Sequence, residues 1–125
     1  KINELLNKRP TLSFEIFPPK TMKMYPSIYA TIDELAKLNP DFISVTYGAN
    51  GSTSKNTCKI ASTIKNKYGI ESVAHLTCMN NTKDEIKEIL KELKENGIEN
   101  VLSLRGDYPK DSDGINHGDF KYASE

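Results

Sequence analysis

Four short stretches with strand-like alternation recur along the chain, and each carries a polar residue near its C-terminal end. Those residues are Glu15, Thr46, His75 and Arg105, spaced 31, 29 and 30 residues apart. In the first stretch, 11–20, Leu12, Phe14 and Ile16 alternate with Ser13, Glu15 and Phe17 until Pro18 and Pro19 end the strand. A side-chain period of two puts the two sets on opposite faces. In the second, Ile43 and Val45 share one face and Ser44 and Thr46 the other, before Gly48 to Gly51 break the pattern. In the third, Ala74 and Leu76 alternate with Val73, His75 and Thr77; in the fourth, Leu102 and Leu104 alternate with Ser103 and Arg105.

Helix signals fill the intervals. Ile2, Leu5 and Leu6 ahead of Pro10 predict a short lead-in helix. Ser27 is the expected N-cap of a helix with the stripe Ile28, Ile32, Leu35 and Leu38, stopped by Asn39 and Pro40. A helix opening near Ser52 to Ser54 carries Ile60, Ala61, Ile64 and Tyr68 and closes at Gly69. Thr82 with Glu85 forms a capping box for Ile86, Ile89, Leu90 and Leu93, ended by Gly97.

The order β, α, β, α, β, α, β predicts parallel strands with right-handed crossovers. A doubly wound sheet buries both strand faces in nearly continuous apolar runs, whereas here each strand keeps one polar-bearing face. A (β/α)8 TIM barrel turns such faces inward and gathers the C-terminal strand ends at one mouth. The expected fold class is therefore α/β, with residues 1–125 covering about the first four β/α units of a single barrel domain. The 125 residues are half of the roughly 250 that a barrel uses. The open edges of such a half, with Phe17, Phe42 and Val73 on its inner face, predict either association into a homo-oligomer or a longer chain whose remainder completes the barrel.

Charge and composition narrow the partners. Seventeen basic residues balance seventeen acidic ones, so neither nucleic acid nor an anionic membrane is an expected partner, and a small molecule is. No apolar run approaches the ~20 residues of a membrane span, and the opening KINELLNKRP has no apolar signal core, which predicts a cytoplasmic location. Cys58 and Cys78 are expected to be reduced and structural. Asp111, Asp113 and Gly114 echo a calcium loop, but Ile115 occupies the next ligand position and no metal is expected. YGANGS, beginning at Tyr47, is neither a dinucleotide nor a Walker loop. Arg105, Gly106 and Asp107 spell an adhesion tripeptide, yet they end an apolar strand.

Glu15, Thr46, His75, Arg105 and Asp107 would meet around one mouth and form the candidate site. Within an apolar strand Glu15 loses hydration, which raises its pKa and suits it to general-acid work; the plainer alternative is an edge strand whose Glu15 faces water. Arg105 and Asp107 could equally form a structural ion pair, and the bare backbone at Gly106 would let a planar ligand approach.

Taken in series, SFEIFPPK, ISVTYGANGS, AHLTC, LSLRGD and the closing YAS resemble the methylenetetrahydrofolate reductase family. That resemblance implies a barrel flavoprotein that uses FAD to carry reducing equivalents from NAD(P)H to methylenetetrahydrofolate, giving methyltetrahydrofolate for methionine synthesis. Glu15 then matches the general acid that helps open the folate ring, and Asp107 the carboxylate beside flavin and folate. Thr46, His75, Leu104, Arg105, Gly106, Tyr122 and Ala123 match FAD contacts, as Asp107 also does. The family's later strands carry further contacts, so the 125 residues alone are expected to be inactive. The other reading is a non-catalytic half-barrel that assembles or binds.

Overall fold

The computed structural model of the chain describes residues 1–19, 21–47, 54–79 and 81–106. The elements are α1 (Ile2–Leu6), β1 (Ser13–Ile16), α2 (Tyr25–Ala36), β2 (Phe42–Val45), α3 (Ser54–Tyr68), β3 (Glu71–Thr77), α4 (Lys83–Glu95) and β4 (Asn100–Leu104). The strands form one parallel four-stranded sheet in the order β1-β2-β3-β4.

Strand order equal to chain order means that every crossover advances the same way, and crossovers of one hand then put their helices on the same side. The core agrees. Ile16, Ile43, Val45 and Ala74 from the sheet cluster with Tyr25 and Ile32 of α2, Cys58, Ile60, Ala61 and Ile64 of α3, and Leu93 of α4. A doubly wound sheet reverses direction and covers both faces. This one is an α/β fold with helices on one face, an arrangement consistent with a partial barrel.

The N-terminal strand ends are tied down by polar side chains. The Ile2 amide donates to Asn100 Oδ1 at 3.1 Å, and Asn100 Nδ2 donates to the Ser72 carbonyl at 3.2 Å. Lys65 Nζ bridges Glu71 at 2.8 Å and Glu99 at 3.4 Å. The Leu12 amide donates to Asp41 Oδ2 at 2.9 Å, and Arg9 pairs with the same carboxylate. The Leu12 amide and then Arg9 hold Asp41 below the ordinary carboxylate range. In barrels this end serves stability and the opposite end serves chemistry.

Two local expectations need correcting. Ser27 is not an N-cap: α2 begins at Tyr25, after a 3-10 turn at Met22–Met24, and its cap residue Met24 offers no side-chain bond. Pro26 in the first helical turn explains the earlier start, because its fixed φ suits a position whose N–H has no helical partner. Ser27 lies inside the helix, where its carbonyl accepts from Thr31 Oγ1 at 3.1 Å. The second correction concerns β4. His75 pairs with Leu102 and Thr77 with Leu104, so both leucines share the face of His75, while Ser103 opposite Leu76 lies on the helix side. Arg105, one residue on, falls by alternation on the side away from His75. The strand 42–50 was expected to break at Gly48 to Gly51; those residues, Lys20, and everything from Asp107 onward lie outside the described residues.

Candidate functional site

The face that the helices leave free holds Glu15, Ser44, Thr46, Val73, His75, Thr77, Leu102 and Leu104, placed by strand register and alternation. Glu15 stands directly across from Ser44, which stands across from Val73. Ser44 Oγ lies 3.4 Å from Glu15 Oε2, and His75 Nε2 lies 3.4 Å from the same oxygen. Three strands thus bring a carboxylate, a hydroxyl and an imidazole together.

Their environments differ. His75 is buried at 8% exposure, and its Nε2 has no hydrogen-bond partner. The Glu15 side chain is 49% exposed. The expected dehydration of Glu15 is therefore not met among the described residues, and the plainer edge-strand alternative describes its surroundings. The cause is topological: β1 is an outer strand, covered on one flank only.

Thr46 is half-buried at the end of β2, where its amide donates to the Ile16 carbonyl at 3.0 Å and its carbonyl accepts from Thr57 Oγ1 at 3.0 Å. Beyond β3 and β4 the ladder continues: the Cys78 amide donates to the Leu104 carbonyl at 3.1 Å and the Met79 amide to the Arg105 carbonyl at 2.8 Å. Gly106 has φ +84°, and a Cβ there would stand 3.0 Å from Thr77 Cβ and 3.1 Å from Met79 Cβ. The protein's own packing thus requires this glycine, and the space expected for a planar ligand at its missing side chain is taken by Thr77 and Met79.

Of the residues expected at the site, Glu15, Thr46, His75 and Leu104 share one face. Arg105 and Gly106 lie at the same strand end, with Arg105 turned the other way. Asp107, Tyr122 and Ala123 lie outside the described residues. Sequence reasoning missed Ser44, whose nearness to Glu15 follows only from the register. It also missed Asn81, whose Nδ2 donates to Tyr47 Oη at 3.2 Å and to the Thr77 carbonyl at 2.9 Å, joining the ends of β2 and β3.

A parallel sheet with helices on one face and a carboxylate, imidazole and hydroxyl toward the C-terminal strand ends of the other defines an α/β protein whose candidate site lies at those ends. The chain belongs to the methylenetetrahydrofolate reductase family, whose family model matches residues 1–125. It is 44% identical over 101 residues to the 5,10-methylenetetrahydrofolate reductase of Escherichia coli (strain K12), covering 81% of this chain and 34% of that protein. Against the 5,10-methylenetetrahydrofolate reductase of Pectobacterium carotovorum it is 42% identical over 106 residues, 85% of this chain and 36% of the relative. A rice relative named probable methylenetetrahydrofolate reductase (NADH) is 41% identical over 105 residues, 84% of this chain and 18% of its own length. The chain spans about a third of the length of the bacterial relatives it matches.

Proposed function

We propose that this chain supplies the first β/α units of a (β/α)8 barrel that reduces 5,10-methylenetetrahydrofolate to 5-methyltetrahydrofolate, with FAD as the cofactor and a reduced nicotinamide as donor. The rice relative carries NADH in its name, and NADH is the donor to test first. The observation that carries this reading is the Glu15 carboxyl on the helix-free face, 3.4 Å from both Ser44 Oγ and His75 Nε2.

The residues present suit a flavin. Leu102 and Leu104, exposed on the same face as Thr46 and His75, combine apolar area with polar groups, as an amphipathic ring system needs. Thr46, His75, Leu104 and the backbone of Arg105 and Gly106 would hold the cofactor, joined by Asp107, Tyr122 and Ala123. When bound, FAD supplies the redox chemistry, which no side chain can. Glu15 donates the proton that opens the folate ring at the C-terminal mouth of the barrel. Asp107 adds a negative charge that helps bind folate beside the cofactor.

Proton donation is needed only when folate is reduced. In the full-length protein Glu15→Gln is therefore expected to lower the folate half-reaction by at least about 100-fold, while reduction of the bound flavin by NADH stays within a few-fold of wild type. Stopped-flow absorbance separates the two steps. Equal loss in both would remove Glu15 from the role of acid.

A further inference from the structure

We infer that His75 and Ser44 are positioning residues for Glu15, holding one carboxyl oxygen so that the other presents the proton. The inference rests on the reading of Glu15 as the acid and adds to it a mechanism of orientation. Both contacts converge on a single atom: Ser44 Oγ and His75 Nε2 each lie 3.4 Å from Glu15 Oε2. His75 Nε2 is shielded from solvent and has no hydrogen-bond partner. A buried ring nitrogen in that state calls for a partner, and the carboxylate oxygen set against it is Glu15 Oε2, at 3.4 Å.

A protonated carboxyl has one oxygen that accepts and one that donates. Donors on Oε2, the Ser44 O–H and the His75 Nε2–H, make it the carbonyl oxygen and leave the proton on Oε1. Without those donors the Glu15 carboxyl is free to rotate, and orientation is worth much of a proton transfer's rate. No other titratable group of the described residues crowds this pair. β2 contributes Ser44 and Thr46, β4 contributes Leu102 and Leu104, and Glu71 at the far end of β3 is bound by Lys65.

The test uses the full-length protein with three substitutions: His75→Leu, which removes the donor; His75→Gln, whose amide N–H can replace Nε2–H; and Ser44→Ala. Folate reduction and flavin reduction by NADH are measured separately, each per bound flavin. We expect His75→Leu to lower the per-flavin rate of folate reduction on the order of 10- to 100-fold while flavin reduction by NADH stays within a few-fold of wild type. Ser44→Ala should do the same to a smaller extent, and His75→Gln should restore most of the rate. An unchanged per-flavin rate of folate reduction in His75→Leu and Ser44→Ala, with any loss traced to flavin content, overturns the inference and leaves His75 a cofactor contact. Glu15→Gln is the control: if it spares folate reduction, the reading of Glu15 as the acid fails first, separately from any result at His75.

Discussion

At the scale of single residues, the C-terminal strand ends combine the groups proposed for chemistry with groups that hold the backbone in place. Gly106 belongs to the second kind. Its φ of +84° disfavours any side chain, and Thr77 and Met79 occupy the space that a Cβ would take. Gly106→Ala is expected to destabilise the full-length protein by about 1–3 kcal/mol in urea unfolding. A loss below about 0.5 kcal/mol would show that this turn can relax away from β3. Cys58 belongs to the core: burial, then the neighbouring Glu92, pushes its thiol up to about 11, so it stays protonated and unreactive at neutral pH.

At the scale of elements, α4 carries the best-defined local signal. Thr82 Oγ1 accepts from the Glu85 amide at 3.3 Å, and the Thr82 amide donates to Glu85 Oε2 at 2.7 Å. Thr82→Ala is expected to cost about 1 kcal/mol, the usual worth of a threonine cap. The reciprocal bond from the Thr82 amide holds the Glu85 carboxyl below its ordinary 4.5. A lowered folded-state pKa stabilises above the unfolded value and is lost as pH falls through the folded one. Glu85→Gln should therefore cost stability at pH 6 and progressively less below 4.5, as thermal melts across pH would show; an equal cost at all pH values would contradict the charged bond.

This capping box was legible in the sequence because it is local, as were the strand positions and the apolar stripes of α3 and α4. What depended on register was not. In β4 Val101, Leu102 and Leu104 are all apolar, so alternation alone could not say which face meets the helices, and Arg105 was assigned to the wrong side. Ser44 reads as an ordinary strand residue until β1 pairs with β2. The shared face of Glu15, Thr46 and His75 was legible, because β1, β2 and β3 each have one clearly apolar set to bury. The solvent around Glu15 was not, because hydration depends on what lies beyond an outer strand.

At the scale of the whole molecule, the sheet has two outer strands, β1 and β4, and a helix-free face on which Phe17 is 69% and Leu102 44% exposed. Unpaired strand edges and exposed apolar area both favour further pairing. The isolated 125-residue chain is expected to associate in light scattering, and a cooperatively unfolding monomer of 14.0 kDa would contradict the half-barrel reading. In the full-length protein the same face would be the inside of a barrel, with Glu15, Thr46 and His75 beside the cofactor. That claim is tested most directly by the anaerobic visible spectrum of the purified full-length protein. The account predicts a flavin band that bleaches when NADH is added and returns when methylenetetrahydrofolate follows. A colourless protein, or a band that methylenetetrahydrofolate fails to restore, would contradict it.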